Sequence, residues 1–388
     1  MRIMWLASHL SHEFGATKFV FETISNLSKK HVVDLYVQKS SIELQKKFEN
    51  IPIKIKNLNK YSTGDILFWL NFKKQINKEI KFLKSIFQNY DVVVSSMFPM
   101  NILGNSIGLP HLQYCFEPFA FFWDPYMINS LSFPKRLFLN ILKKKYGPLD
   151  ITATQNANVI LTVNNGTKKW ISKIYGTNSI PTYLGVDTKH FKKYYDKNMI
   201  NTYAGKKIII HSTDWTPLKR TSWLIEQLSE ILTNNDVILL ITEVVIQGDD
   251  KIKALKIIKE KNLTNVKLLG NVSYDILPKY YSLSDIAIYS GIGAGASAAS
   301  LFVLECMACK TPVIRTGDSI EEIEHGKTGF LFEKDDEESF KKFTLQLLFD
   351  DKLREKFGIA SNNFIMEKYS WEKVSNIIEK ECFRLIRS

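Results

Sequence analysis

The segment from Tyr289 to Phe332 constrains the fold of this chain most. An apolar strand runs into a loop of Gly, Ala and Ser, and that loop runs into a helix carrying a buried-looking carboxylate, Glu305. Backbone N–H groups at a helix start bind anions, and small side chains let a phosphate approach the backbone. We expect Ser300 to be the N-cap and the N–H groups from Leu301 onward to face the ligand. The segment predicts a site for a nucleotide-sugar or another phosphorylated carbohydrate, with Glu305 accepting hydrogen bonds from sugar hydroxyls.

The rest of the chain alternates short apolar strands with helices. The apolar runs lack period-two alternation, which is typical of parallel strands covered on both faces. The predicted strands are Ile3–Leu6, Val32–Val37, Asp91–Ser95, His111–Tyr114, Val159–Val163, Lys207–His211, Asp236–Ile241, Val266–Leu269, Ile286–Tyr289, Pro312–Arg315 and Gly329–Phe332. The predicted helices include Thr17–Lys29, Lys168–Tyr175, Thr221–Thr233, Lys251–Lys261, Ser339–Phe349 and Trp371–Arg387. This order predicts an α/β fold of two doubly wound Rossmann-like domains facing a cleft, with a boundary between Tyr183 and Gly205.

Composition narrows the class of protein without choosing its partner. The 388 residues are too many for one comfortable core and enough for two domains. The formal net charge of +12 fits phosphate-bearing ligands, an anionic membrane surface or nucleic acid, but no nucleic-acid recognition motif is visible. The N-terminus resembles a strand rather than a signal peptide, and no apolar run approaches the ~18 residues that span a membrane. Four cysteines without a disulfide framework favour the reducing cytoplasm.

Two further loops follow predicted strands. In the loop that begins at His211, the neighbouring cations Lys219 and Arg220 could clamp a diphosphate. A solvated helix start is an equally weighted alternative, although cations at a helix N-terminus oppose its dipole. In the turn after the first strand, Gly15 could face a phosphate or an acceptor, but a plain strand-to-helix turn is the favoured interpretation.

Two segments combine apolar and basic residues at helical spacing. We interpret Ile66–Phe87 as a domain helix that buries one face. The second segment, Leu131–Tyr146, follows an aromatic cluster at Phe116–Trp123. Its basic residues are Lys135, Arg136, Lys143, Lys144 and Lys145. For this second segment, shallow attachment to an anionic membrane surface is as well supported as ordinary burial of one face.

These motifs together resemble the GT-B fold glycosyltransferases of family four, a retaining family that uses nucleotide-sugars. Leu304–Ile314, which reads LECMACKTPVI, is similar to the family's LEAMACGTPVI signature, and Gly326–Leu331 is similar to its GKTGLL. Tyr183–Phe191 is similar to the interdomain PNGVDTERF, and Val266–Val272 to the strand and turn beside the nucleotide base. The resemblance covers nearly the whole chain. It implies an acceptor-side domain of residues 1–188, a nucleotide-sugar-binding domain of residues 189–370, and a last helix, 371–388, that crosses back to the first domain.

The resemblance also implies site residues. Lys219 matches the family's diphosphate-binding lysine and Glu305 matches the glutamate that holds the nucleotide ribose, so both are catalytic candidates. The donor-binding candidates are Thr213, Lys219, Arg220, Asn271, Val272, Ser297, Ser300, Leu301 and Glu305. The acceptor-side candidates are His9, His12, Gly15 and Glu117.

Three positions depart from the family pattern. Ser297 stands where the family commonly has a first glutamate, eight positions before Glu305. Asp214 stands in place of a diphosphate-binding arginine, and Phe116 in place of a cleft histidine. These changes bear on sugar specificity and on activity. They motivate a second hypothesis, a non-catalytic GT-B relative that binds a nucleotide or a partner glycosyltransferase.

No metal ion or other cofactor is expected. No two aspartates stand two positions apart, so the sequence lacks the DxD pattern of metal-bound glycosyltransferases. Cys306 and Cys309 form a CxxC without a second Cys/His pair nearby, and we interpret them as core thiols.

The favoured function is transfer of a hexose, with retention, from a nucleotide-sugar to a glycan or lipid-linked acceptor. The expected process is assembly of a surface polysaccharide or a glycoprotein glycan. Lys219, Arg220 and the helix start at Ser300–Leu301 would stabilise charge on the departing nucleotide diphosphate. Retention would be a front-side displacement, since no nucleophile is identifiable. The expected location is cytoplasmic, with peripheral attachment at the inner face of the membrane as an option.

Overall fold

The computed structural model describes residues 1–10, 15–233, 236–245, 247–293, 299–317 and 321–387. The chain divides into two compact units. Unit 1 comprises Met1–Gly185 together with Trp371–Ser388, and unit 2 comprises Val186–Ser370. No helix in the described ranges is both long enough and apolar enough to cross a membrane.

Unit 1 is built on a parallel sheet. Its strands are β1 (Arg2–Leu10), β2 (Val32–Ser40), β3 (Lys54–Asn57), β4 (Val92–Ser95), β5 (His111–Cys115), β6 (Val159–Thr162) and β7 (Ile180–Pro181). Its first nine helices are α1 (Gly15–Leu27), α2 (Ile42–Lys47), α3 (Ile66–Leu70), α4 (Phe72–Lys84), α5 (Met100–Ile107), α6 (Ala120–Trp123), α7 (Pro125–Ser130), α8 (Phe133–Gln155) and α9 (Asn165–Tyr175). Across the described residues the strand order is β3-β2-β1-β4-β5-β6-β7, so the chain winds outward in both directions from the β1–β4 pair.

Unit 2 repeats this winding with a second parallel sheet. Its strands are β8 (Lys207–Thr213), β9 (Val237–Glu243), β10 (Val266–Leu268), β11 (Ile286–Tyr289), β12 (Val313–Thr316) and β13 (Gly329–Phe332). Its helices are α10 (Lys197–Thr202), α11 (Thr221–Leu232), α12 (Asp249–Glu260), α13 (Leu277–Leu283), α14 (Leu301–Ala308), α15 (Glu337–Phe349) and α16 (Asp351–Lys368), and a 3-10 turn spans Pro217–Lys219. The described strands follow the order β10-β9-β8-β11-β12-β13.

Hydrophobic strands with helices on both faces explain why the sheets are parallel. β4 reads VVVS and is buried throughout, and β11 reads IAIY and is also buried throughout. Ile3 of β1 lies opposite Val33 on one side and Val92 on the other, so branched side chains meet across neighbouring strands. Such strands read as continuous apolar runs because neither face meets water.

The last helix, α17 (Trp371–Arg387), packs into unit 1 against α1. Its N-terminus rests on Gly185, where an added Cβ would lie 2.3 Å from the backbone nitrogen of Trp371. The ring of Trp371 lies 6.0 Å from that of Phe19 in α1. His31 Nε2 lies 2.6 Å from Glu379 Oε1 and ties the far part of the helix to the loop after α1. The position at residue 185 therefore requires glycine for the helix to dock.

The predicted doubly wound α/β fold is confirmed, while several element bounds differ. Each of the predicted strands is present, and Ile286–Tyr289 and Gly329–Phe332 have the predicted bounds. The sequence missed β3, whose four residues KIKN give no apolar run, and the two-residue β7. Helix α1 begins at Gly15 instead of Thr17, so Gly15 is the first helical residue and is exposed, not a residue of the preceding turn.

Candidate functional site

The site candidates of unit 2 lie where two neighbouring strands end. The chain first builds β9 and β10 on one side of β8 and then returns to place β11 on the other side. The loops after β8 and β11 therefore leave the sheet side by side and in opposite directions. Such a switch point forms a crevice at the carboxyl ends of the strands, which is where open α/β sheets bind ligands.

Backbone bonds join these two loops. Ile292 N donates to Leu218 O at 2.9 Å, and Ser290 Oγ donates to Lys219 O at 2.8 Å. The predicted catalytic Lys219 is the last residue of the 3-10 turn, and its Nζ lies 3.4 Å from Tyr289 Oη. The same nitrogen lies 5.1 Å from the centroid of the Tyr289 ring, which is itself buried. The turn and the strand end thus hold one ammonium group at the crevice.

Helix α14 starts at Leu301, as the sequence predicts, and packs against β11 and β12. Ser300 has the extended backbone of an N-cap, with φ −103° and ψ 120°. The prediction that Ser300 is the N-cap is confirmed, although its hydroxyl makes no capping hydrogen bond. The first-turn N–H groups of an α-helix point out of its start and carry partial positive charge. The loop residues 294–298, which include the donor candidate Ser297, lie outside the described residues.

Glu305 lies one turn into α14 and is only 6% exposed. Its charge helps to raise the pKa of Tyr281, whose burial is the larger cause. The Tyr281 ring packs edge-on against Phe302 at 5.6 Å, within the first turn of the helix. The interpretation of Cys306 and Cys309 as core thiols is confirmed, because both are buried and burial raises the pKa of Cys309 to about 12.

The structure separates the two cations that the sequence treats as a pair. Arg220 adopts the left-handed conformation, φ 53°, at the N-cap of α11. Its guanidinium forms an ion pair with Asp335 and lies 4.1 Å from the centroid of the Trp223 ring. Lys219 instead contacts Tyr289. The donor-binding role of Arg220 stays a prediction, and its guanidinium is already held by a carboxylate and an aromatic face.

The loop after β8 is shaped by short polar side chains. Thr213, a donor-binding candidate, is buried, and its hydroxyl is hydrogen-bonded to that of Thr221 at 2.7 Å. It also accepts from Trp215 N at 3.0 Å. Asp214 Oδ1 accepts from Thr216 N at 3.0 Å, so this carboxylate closes a local turn. These bonds fix the path of the backbone that leads to Lys219.

His211 is a site residue that sequence reasoning did not single out. Its Nδ1 lies 2.9 Å from Ile288 O, its Nε2 lies 3.0 Å from Thr221 Oγ1, and its ring lies 6.5 Å from that of Phe302. Burial lowers the pKa of His211 to about 4, and the positive charge of Lys219 acts in the same direction. A neutral ring that donates to the carbonyl thus joins β8, β11 and α14. A histidine inside the apolar run KIIIHST was the available signal.

Glu243 is a second residue that the sequence did not reveal. Its Oε1 accepts from Trp215 Nε1 at 2.8 Å and from Lys251 Nζ at 2.5 Å. Its Oε2 accepts from Gly270 N at 3.1 Å, at the turn that carries the donor candidates Asn271 and Val272. Asn271 is exposed and Val272 is partly buried. One buried carboxylate at the end of β9 therefore joins the loops that follow β8 and β10 to α12.

The acceptor-side candidates belong to unit 1. Gly15 opens α1 after β1, and Glu117 is partly buried two residues after β5. Both lie beyond the carboxyl ends of strands. His9 belongs to β1, opposite Lys39, but its side chain lies outside the described residues, as does the whole of His12. Phe116 packs edge-on against Phe19 at 4.8 Å.

A metal site would require several ligating side chains close together. Among the described residues, no group of three or more His, Cys, Asp or Glu side chains is placed to hold a metal ion. That the protein needs no metal ion stays a prediction.

Comparisons with known proteins bear on the family and on the fold. Residues 205–350 match the family model described as Glycosyl transferases group 1. The chain is 27% identical over 222 residues to N-acetyl-alpha-D-glucosaminyl L-malate synthase of Bacillus anthracis, which covers 56% of this chain and 55% of that protein. The chain thus spans about half the length of this relative.

Solved structures extend the match in fold to the whole chain. Sucrose-phosphate synthase from Thermosynechococcus elongatus aligns with a TM-score of 0.76 at 15% identity over 100% of both chains. Anabaena Alr3699/HepE, crystallised with UDP and glucose, aligns with a TM-score of 0.76 at 14% identity, over 99% of this chain and 100% of that chain. The predicted GT-B fold is confirmed. Membership of family four stays a prediction.

Proposed function

We propose that this chain is a glycosyltransferase that moves a sugar from a nucleotide-sugar donor to a glycan or lipid-linked acceptor. The observation that carries the proposal is the crevice between β8 and β11. There, Lys219 is held at Tyr289 by backbone bonds between the two loops, and α14 begins with its buried Glu305 one turn further in. A cation and a helix N-terminus suit a diphosphate, and a carboxylate suits sugar hydroxyls. The group 1 domain match and the UDP-bound relative of the same fold support this chemistry.

In this proposal the described residues divide the work between binding and charge stabilisation. Lys219 stabilises the negative charge that develops on the departing nucleotide diphosphate, with the first-turn N–H groups of α14. Glu305 accepts hydrogen bonds from the ribose hydroxyls and orients the nucleotide. His211 and Glu243 hold the loops in place and do not touch the donor. Binding of the donor should need little reorganisation, because the two loops are already hydrogen-bonded to each other before a ligand arrives.

The finer parts of the proposal concern stereochemistry, metal and acceptor. We propose retention through front-side displacement, no essential metal ion, and a hexose as the transferred sugar. The acceptor would be a glycan under assembly for a surface polysaccharide or a glycoprotein. The location would be cytoplasmic.

The experiment is a turnover assay across UDP-, GDP- and ADP-sugars, with membrane extract as the acceptor and EDTA present. Turnover of one donor is the expected result, and it would identify the sugar and a metal-independent reaction together. Lys219→Ala should abolish most of that turnover, whereas Lys253→Ala, an exposed lysine of α12, should leave it unchanged. Equal activity of the two variants would contradict the assignment of Lys219.

The alternative function is a non-catalytic GT-B relative that binds a nucleotide or a partner transferase. The observation that favours it is Asp214, whose carboxylate closes a turn beside the crevice. The family that this chain resembles commonly has an arginine at this position. A carboxylate near a diphosphate weakens binding through like charge. Nucleotide binding in calorimetry without turnover of any donor would support this alternative over the enzyme.

A further inference from the structure

Helix α8 presents apolar side chains to solvent. Phe133 is 69% exposed, Ile141 is 58% exposed and Leu137 is 52% exposed, and Phe138 beside them is also exposed. The first three stand four residues apart, so they share one side of the helix. These four side chains are called the α8 face below. Apolar patches on a soluble unit usually mark a surface that something covers.

The opposite side of α8 already has its partners. Leu142, Tyr146 and Ala153 are buried in the core of unit 1. The ring of Tyr146 lies 4.2 Å from that of Phe72 in α4. The α8 face is therefore turned away from the core to which the helix is anchored, and repacking within unit 1 would have to break these contacts to cover it.

A second exposed apolar element is anchored to the same aromatic cluster. In α3, Ile66 and Leu70 are exposed to solvent. Between them lies Trp69, whose ring is 6.1 Å from that of Tyr146 in α8. It is also 5.8 Å from the ring of Phe122 in α6. Helices α3 and α8, which both carry exposed apolar side chains, thus contribute rings to one aromatic cluster.

The charge around the α8 face has a single sign. Residues 125–149 contain five basic residues and neither Asp nor Glu. The basic residues are Lys135, Arg136, Lys143, Lys144 and Lys145. Lys144 and Lys145 are exposed at the end of the α8 face, and Lys135 is exposed near its beginning. A second copy of the same face would bring like charges together, whereas an anionic bilayer attracts them.

From this combination we propose that the α8 face docks on the surface of an anionic lipid bilayer. The apolar side chains enter the boundary between headgroups and acyl chains, and the lysines and Arg136 contact lipid phosphates. The surface lies in unit 1 and uses none of the residues assigned to the donor. The proposal is therefore independent of whether the chain transfers a sugar.

The test is sedimentation of the full chain with phosphatidylcholine vesicles that contain or lack phosphatidylglycerol. We expect binding only to the vesicles with phosphatidylglycerol, and a loss of roughly tenfold or more in the triple variant Phe133→Ser, Leu137→Ser and Ile141→Ser. Lys144→Glu with Lys145→Glu should lose roughly 25-fold or more, because each lysine near the surface contributes about fivefold. The matched controls lie on unit 2: Leu345→Ser with Phe349→Ser, and Lys253→Glu with Lys259→Glu, all exposed helical positions.

A second measurement covers the case in which the triple variant fails to fold. Cys115, Cys306, Cys309 and Cys382 are buried, so a cysteine introduced at an exposed position can be labelled selectively. An environment-sensitive fluorophore on Leu137→Cys should shift to the blue on addition of phosphatidylglycerol vesicles. The same label on Leu345→Cys should not shift.

Three outcomes would overturn the proposal. One is equal vesicle binding by the wild type and the triple variant. Another is no vesicle binding together with no shift of the label at residue 137. The third is concentration-dependent dimerisation of the wild type that the triple variant abolishes while vesicles have no effect, which would make the α8 face an interface between copies of this chain.

Discussion

Each unit contains a buried carboxylate that accepts hydrogen bonds from three donors, but the two carboxylates connect different parts of their units. In unit 1, Asp150 of α8 accepts from Asn101 Nδ2 at 2.7 Å, from Trp123 Nε1 at 2.7 Å and from Tyr175 Oη at 2.9 Å. Those donors belong to α5, α6 and α9, so Asp150 joins helices. In unit 2, Glu243 at the end of β9 joins the loops at the carboxyl ends of β8 and β10.

The two units wind their strands in the same way, but they differ in what the buried carboxylate stabilises. Both sheets have a switch point, and in unit 2 the buried Thr213 and Glu243 lie at the carboxyl ends of β8 and β9, at the predicted donor site. Side chains locked by hydrogen bonds keep a binding geometry from drifting. In unit 1 the buried carboxylate stabilises the helical layer, while aromatic rings such as Phe98, Phe116 and Phe119 follow β4 and β5. The following predictions test this contrast, beginning with the largest effect.

Lys219→Ala should have the largest effect on activity. Removing a group that stabilises charge in the transition state costs roughly 10²–10³ in kcat. The variant also loses the hydrogen bond from Lys219 Nζ to Tyr289 Oη at 3.4 Å, so the free energy of unfolding should fall by about 1 kcal/mol. Steady-state kinetics with the active donor, together with urea unfolding, measure the two quantities. A change confined to stability would refute the electrostatic role of Lys219.

Asp150→Ala and Glu243→Ala should differ in their effects, because the two carboxylates belong to different units. Asp150→Ala removes the carboxylate that accepts from three donors, of which Asn101 keeps Thr154 Oγ1 as an acceptor, so the free energy of unfolding should fall by about 3 kcal/mol. Glu243→Ala should also destabilise, but it should raise the donor KM as well, because the loop at Trp215 and the turn at Gly270 lose their common acceptor. Urea unfolding and donor kinetics are measured for both variants.

The matched controls for this pair are Asp150→Asn and Glu243→Gln, which keep the side-chain volume and part of the hydrogen bonding. They should fall between the wild type and the alanine variants in both measurements. The contrast between the units fails if Asp150→Ala raises the donor KM in the folded protein as much as Glu243→Ala does.

Glu305→Gln should weaken donor binding more than it changes the chemical step. A hydrogen bond to a charged group contributes about 1.5–3 kcal/mol, which corresponds to a roughly 10–100-fold increase in the donor KM. The size of the side chain is preserved, so the packing of α14 should remain. Nucleotide titration by calorimetry and donor kinetics measure the effect, with Glu260→Gln as an exposed control. Wild-type donor KM in Glu305→Gln would remove Glu305 from the site.

Much of the fold was predictable because it is encoded locally. The bounds of β11, β13 and α17 follow from apolar runs and helical spacing, and they agree with the structure. By contrast, β3 was missed because it pairs through its backbone with β2 while its side chains stay largely exposed. Strands of this kind carry no hydrophobic signal, since only the sheet that they join defines them.

The site was predictable only in part, for a related reason. The positions of Lys219 and Glu305 next to strand ends could be predicted from the order of elements along the chain. The pairing of Arg220 with Asp335 joins residues 115 positions apart, and Glu243 accepts hydrogen bonds from two loops and a helix. Such contacts depend on how the elements pack in three dimensions, and a single sequence contains no local pattern for them.

The smallest predicted effect is a pH dependence that both units should share. Burial lowers the pKa of His211 to about 4 in unit 2 and that of His111 to about 3 in unit 1. Both values lie below the ordinary histidine pKa of about 6.5, so the unfolded chain binds more protons between these limits. The stability that each neutral ring contributes is present above about pH 6.5 and is lost as the pH falls towards the folded pKa.

Between about pH 7.5 and about pH 5, His211 alone should cost the folded state about 2 kcal/mol. In His211→Gln this share of the pH dependence is absent, so the difference in unfolding free energy between wild type and variant should shrink by about 2 kcal/mol at the lower pH. His111→Gln should show the same shift, because both folded pKa values lie below pH 5. Urea unfolding at the two pH values measures each difference. The double variant should show the sum, since the two histidines lie in separate units. A difference that stays constant with pH in either single variant would mean that this histidine binds protons in the folded state as readily as in the unfolded chain. The two units would then not share this pH dependence.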